Sequence, residues 1–180
     1  MDKDKGPCII AVMGLELELD KNKGYYNVVP KDTTATGKCS DEQANLNLTF
    51  PEGSINFMFV KNKNYYHIDA IAFRFAYGSG HWNGSIQNQS LLTTDNGYSV
   101  KCKHMPVINI NETKIAMFDV KLQAFDFTSG DFGKEEECYQ DRNKNLVPLA
   151  VSLASLGLVL IILVVFLLAR RKRSEGYERI

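Results

Sequence analysis

Apolar and polar positions alternate with a period of two through much of the chain before residue 125. Between Ile9 and Leu19 the run ends in Leu15, Leu17 and Leu19, separated by Glu16 and Glu18. Ser54 to Val60 puts Ile55, Phe57 and Phe59 on one face, and Tyr65 to Phe75 does the same with Ile71, Phe73 and Phe75, leaving Arg74 opposite. Lys114 to Gln123 sets Phe118, Val120 and Leu122 against Asp119, Lys121 and Gln123. Side chains of a strand point alternately to its two faces, so each run predicts a strand with one buried side. Phe125 and Phe127 fall on the opposite parity, which predicts a bulge or a change of sheet near Ala124, and Gly14 inside the first run predicts another irregularity. Gly24, Gly37, Gly53, the stretch from Gly78 to Gly84, Gly97 and Gly130 punctuate the runs as loops. No amphipathic helix of convincing length interrupts them. The expectation is an all-β, antiparallel domain over residues 1–145, long enough to bury its own core.

From Leu146 to Ala169 the pattern disappears: 24 residues carry no charge and are apolar on every helical face. At about 1.5 Å per residue a helix of that length reaches roughly 36 Å, against a bilayer core of about 30 Å. This predicts one transmembrane helix over 146–169, with Pro148 in its first turn and the lipid bilayer as its surroundings. Arg170 to Arg173 follow at once, so the positive-inside rule places the tail, residues 170–180, in the cytosol and residues 1–145 outside it. Of 21 basic and 21 acidic residues the tail holds five and two, leaving 16 and 19 outside; the balanced total hides a basic tail and an acidic ectodomain. A short juxtamembrane basic cluster suits contact with anionic lipid and argues against a nucleic-acid partner. Met1 to Lys5 is charged and no apolar segment follows, so a translocated ectodomain implies a processed chain.

Two further patterns agree with that topology. All four cysteines, Cys8, Cys39, Cys102 and Cys138, lie on the outer side, as two disulfides in an oxidising compartment would require; three pairings are open. Sequential pairing would close two loops of similar size, each contributing roughly 3.5 to 4 kcal/mol by the chain-entropy relation. Without a Cys-x-x-Cys or a nearby Cys/His pair, zinc is disfavoured. The four Asn-x-Ser/Thr sequons, at Asn47, Asn83, Asn88 and Asn111, are also all on the outer side and predict glycosylation; Asn83 and Asn88 fall in a Gly/Ser-rich stretch read as a loop.

Candidates for catalysis are few, and neither an enzyme nor a cofactor is expected. Gly-x-Ser-x-Gly, His-Glu-x-x-His and phosphate-loop patterns are missing from the sequence. Ser79 and His81 are too close in the chain to read as a nucleophile and its base. His67, His81 and His104 titrate where acidic organelles operate but read as ordinary surface histidines. Glu135 to Glu137 reads as a solvated charge run rather than a calcium site, and Trp82 as a packing residue.

The tail carries a mechanism of its own. Tyr177-Glu178-Arg179-Ile180 has the form Tyr-x-x-bulky apolar, which binds clathrin adaptor complexes in extended conformation. Arg170 to Gly176, if extended at about 3.3 Å per residue, would carry Tyr177 roughly 23 Å from the helix end.

Taken together, Cys8 with Ala11-Val12-Met13-Gly14-Leu15, Thr36-Gly37-Lys38-Cys39, Phe118 to Phe125, the acidic approach to Cys138, Leu146 to Val151 and the closing Gly176-Tyr177-Glu178-Arg179-Ile180 resemble the lysosome-associated membrane glycoprotein family. The resemblance covers nearly the whole chain. It implies a membrane-proximal lumenal domain of β-prism type, two antiparallel sheets pinned by disulfides Cys8–Cys39 and Cys102–Cys138, and a glycan shield. It also implies sorting to late endosomes and lysosomes through Tyr177 and Ile180, with Gly176 favouring the lysosomal route and the cell surface visited in transit. The expected role is a type I membrane glycoprotein that protects and organises the lysosomal membrane. The alternative is a receptor or partner subunit, in the manner of macrosialin-like or autophagy-related members. Ala150, Ala154 and Gly157 would then pack the helix against another membrane protein or a second copy.

Overall fold

Strict alternation of buried and solvent-facing side chains recurs along the strands of the computed structural model, which describes residues 7–19 and 24–175. The elements are β1 (Ile9–Leu19), β2 (Gly24–Asn27), a 3-10 turn (Pro30–Asp32), β3 (Thr34–Cys39), β4 (Gln43–Phe50), β5 (Gly53–Lys61), β6 (Tyr65–Tyr77), β7 (Gly80–Ile86), β8 (Leu91–Asp95), β9 (Ser99–His104), β10 (Ile108–Ile110), β11 (Thr113–Ala124), β12 (Glu135–Glu137) and α1 (Tyr139–Glu175). The chain forms two units, 1–141 and 142–180.

Two six-stranded sheets build the first unit. One runs β12-β9-β11-β1-β2, with β10 beside β9 on the same edge of β11; the other runs β3-β4-β5-β6-β7, with β8 beside β7 on the same edge of β6. Every pairing is antiparallel except β12 with β9. The branch strands bring β8 against β9 and β10 against β7, so the sheets meet along one side in the expected prism-like arrangement. Between them lies one core. Leu15, Leu17, Leu19, Ile115, Met117, Val120 and Leu122 enter it from the first sheet; Ile55, Phe57, Phe59, Ile71, Phe73 and Phe75 enter from the second.

Bulges break the alternation where the sheets bend. Met13 on β1 faces both Asp119 and Val120 on β11, and Asp119 takes a left-handed φ of 46°. Parity reverses there, so Thr113, Ile115 and Met117 point inward before the bulge and Val120 and Leu122 after it. Phe118 therefore belongs to the outer face, 47% exposed, contrary to its place on the buried face in the sequence pattern. It lies opposite Gly14, where a Cβ would sit 3.5 Å from the Phe118 Cβ. A second bulge at Asp69 lets β6 pair with β8 through Tyr65–Ile68 and with β7 through Ile71–Tyr77. Near Ala124 β11 ends: Phe125 and Asp126 both take left-handed φ, 65° and 48°, and turn the Phe125 ring into the core.

The second unit continues α1, a single helix whose segment Val151–Arg171, mean hydropathy 3.1, is long and apolar enough to cross a membrane. The helix starts at Tyr139, straight after Cys138, so Pro148 lies well inside it rather than in a first turn.

Candidate functional site

Both disulfides form between sequential cysteines. Cys8, just before β1, bonds Cys39 at the end of β3 with a Cα–Cα distance of 6.4 Å, and so ties the start of the first sheet to the edge of the second. Cys102 in β9 bonds Cys138 with Cα atoms 5.2 Å apart, and both residues are buried. Around Cys138 the backbone is clamped as well. Its amide donates to the Lys101 carbonyl at 2.9 Å, the Asp141 amide donates to the Cys138 carbonyl at 3.1 Å, and Asp141 Oδ2 accepts from the Lys103 amide at 2.6 Å. Cys102, Cys138 and Asp141 would resemble a metal-ligand cluster, but both sulfurs are consumed by the disulfide and leave no thiolate.

The acidic run is not a freely solvated stretch. Glu135–Glu137 forms β12, paired in parallel with Ser99–Lys101. Glu135 accepts from Lys121 Nζ at 2.6 Å and Lys101 Nζ at 3.1 Å, and Glu136 accepts from the Thr94 hydroxyl at 2.6 Å. Hydrogen bonds from Lys121, then from Lys101, hold the Glu135 carboxyl below the usual carboxylate range. Its folded-state pKa being depressed, its contribution is present above the ordinary value and is lost as pH falls through the lowered one. Glu135→Gln should therefore lower the melting temperature by a constant amount near neutrality, and the gap to the unaltered chain should close as pH drops from about 5 toward 3, read by thermal melts across that series.

Two buried polar groups close the same end. Tyr66 donates to the Tyr98 carbonyl at 2.8 Å, and burial pushes its phenol well above the ordinary tyrosine range, keeping it a neutral donor. Gln123, 1% exposed, accepts from the Gly133 amide at 2.6 Å and so fastens the loop that leads into β12. Sequence alternation assigned Gln123 to the solvent face; its fixed amide partner is what makes its burial tolerable.

The sequons occupy three kinds of place. Asn47 is half-buried on the outward face of β4, its Nδ2 donating to Thr49 Oγ1 at 3.0 Å. Asn83 is exposed in β7 rather than in a loop, because the glycine-rich stretch pairs in full register with β6. Asn88 is exposed in the β7–β8 connection, and Asn111 is exposed at the β10–β11 turn; their φ values are 57° and 54°. Asn111 Nδ2 donates to the Asn83 carbonyl at 3.2 Å, so two sequons meet where the sheets join.

Ser79 and His81 are exposed on the β6–β7 hairpin and face solvent. Trp82 stacks on Phe75 with ring centroids 5.4 Å apart, and a Cβ at Gly80 would collide with its indole: its place is packing. His67, read from the sequence as a surface residue, is buried beside the Asp69 bulge, with Nε2 3.8 Å from Asp69 Oδ1.

Residues 1–139 match the family profile for lysosome-associated membrane glycoprotein 2-like luminal domains. The chain belongs to the lysosome-associated membrane glycoprotein family. It is 31% identical over 191 residues to lysosome-associated membrane glycoprotein 1 of Gallus gallus, which spans 97% of this chain and 46% of the relative. It is 29% identical to lysosome-associated membrane glycoprotein 2 of Mus musculus over 96% of this chain and 43% of that one. The chain thus spans less than half the length of these curated relatives. Among solved structures, human LAMP-3 superposes with a TM-score of 0.70 at 29% identity, covering 73% of this chain and 90% of that one. The membrane-proximal domain of mouse LAMP-1, at 24% identity and a TM-score of 0.67 over 74% of this chain and 90% of that one, shows the same fold.

Gly176, Tyr177 and Ile180, the residues expected from the sequence to carry a sorting signal, lie outside the described residues. What precedes them is described: α1 continues through Glu175. Arg170 to Glu175 therefore advance about 1.5 Å each, roughly 9 Å in total, rather than the extended reach that the sequence alone suggested.

Proposed function

We propose that this chain is a type I glycoprotein of the lysosomal and late endosomal membrane, with residues 1–145 in the lumen, 146–169 in the bilayer and 170–180 in the cytosol. Its glycosylated domain shields and organises the limiting membrane. Tyr177 and Ile180, with Gly176, are taken up by clathrin adaptor complexes, and part of the population passes through the cell surface. One observation carries the reading: two disulfides and four sequons all precede the one long apolar helical segment among the described residues, which four consecutive cations, Arg170 to Arg173, follow. An oxidised, glycan-bearing domain and a basic cytosolic flank require the same orientation. Tyr177→Ala tests the sorting half. The expected outcome is a severalfold rise of the chain at the cell surface, measured by surface biotinylation; undiminished delivery to lysosomes would overturn it.

A further inference from the structure

We propose that β3 is a latent self-pairing edge, kept single by a glycan on Asn47. The proposal rests on the reading of that sequon as occupied.

A strand at the end of a sheet presents unpaired N–H and C=O groups that template association with another strand. Four strands end the two sheet paths, and three of them are protected. β2 has only four residues, and β12 is three consecutive glutamates. Along β7, β10 closes in: Asn111 bonds the Asn83 carbonyl, and a Cβ at Gly84 would lie 2.7 Å from the Ile110 Cγ2. β3 has none of these devices. It pairs with β4 without a register shift from Thr34↔Thr49 to Cys39↔Ala44, and among the described residues no strand pairs with its other edge. All of its residues except Gly37 are exposed, and it contains no proline and a single charge, Lys38.

The occupant that fits this edge is β3 of a second copy. An antiparallel strand pair is its own twofold complement, the relation a closed dimer needs. Centred on Thr36, the pair sets Lys38 opposite Thr34 of the other copy, so the two ammonium groups do not face each other, and threonine, alanine and glycine offer no bulk to clash. Asn47 guards the position. It lies directly across from Thr36, on the outward face and one strand spacing, about 4.8 Å, from β3. Pairing would bring two Asn47 glycans to the same level on the same face, about three spacings or roughly 14 Å apart, where two branched oligosaccharides crowd each other and the joined edge.

The full-length chain in mild detergent tests this by light scattering, after intact-mass analysis of each variant. The expected pattern is a monomer carrying a glycan at Asn47, about a twofold rise in protein mass per particle for Asn47→Gln, and return to monomer for Asn47→Gln combined with Thr36→Lys. Asn83→Gln removes a glycan from the closed edge and should stay monomeric. An unmodified Asn47 in the natural chain would overturn the guard by removing the reading it rests on. A monomeric Asn47→Gln chain, an association that Thr36→Lys does not reverse, or equal association of Asn83→Gln would overturn the edge assignment itself.

Discussion

Replacing Cys102 and Cys138 together with alanine should lower the stability of the β domain by about 4 kcal/mol. The bond spans 36 residues, and by the chain-entropy relation releasing such a loop costs roughly 3.8 kcal/mol. Both cysteines are buried, so their removal also weakens packing at the point where β9, β12 and the start of α1 meet. Opening the 31-residue Cys8–Cys39 loop carries nearly the same entropy cost, but neither of those residues is buried, so that pair should be the milder one to remove. Denaturant unfolding of the two double variants measures the difference. Equal midpoints for the Cys102/Cys138 variant and the natural chain would overturn the reading of that bond as the main fastener.

Phe57→Ala should cost about 3 to 5 kcal/mol and lower the melting temperature by 10 °C or more, because a phenyl ring lost from a close-packed core leaves a cavity its neighbours fill only in part. Phe57 is 1% exposed in β5, paired with Leu46 on one side and Ile71 on the other. Phe118→Ala is the matched contrast. The same atoms are removed from an outward-facing ring over Gly14, so the loss should stay near 1 kcal/mol or below. If the two variants melt together, the placement of Phe118 outside the core is wrong.

That contrast also marks how far the fold was legible in the sequence. Leu15, Leu17 and Leu19, or Ile71, Phe73 and Phe75, could be assigned to a buried face by counting alone, because nothing shifts parity within those runs. Phe118 could not. A bulge changes which face every later residue occupies, and this one depends on Asp119 taking a left-handed backbone, which has no marker in a run of alternating residues. Gly14 pointed to an irregularity in β1 without saying that its partner strand would carry the extra residue. The strand pairing of the acidic run is hidden in the sequence for a different reason. Glu135 and Glu136 belong to a strand only because Lys101, Lys121 and Thr94 meet them from β9, β11 and β8, partners that lie 14 to 42 residues earlier in the chain. Asn83 looks like a loop residue in the sequence because glycine and serine usually mark turns, whereas here Gly80 accommodates the Trp82 indole and Gly84 admits β10. The cysteines needed none of this context, since their even number on one side of the apolar run was enough to expect two disulfides.

The clamp at Cys138 determines how the domain answers a pull along α1. A helix joined to its ectodomain by a slack linker would pass tension to whichever strand happened to be last, and a terminal strand of three residues would peel away. In this chain tension arriving at Tyr139 reaches Cys138 at once and crosses a covalent bond to β9, which lies between β12 and β11 in its sheet. A pull along α1 therefore loads β9, inside the sheet, rather than peeling β12 from its edge.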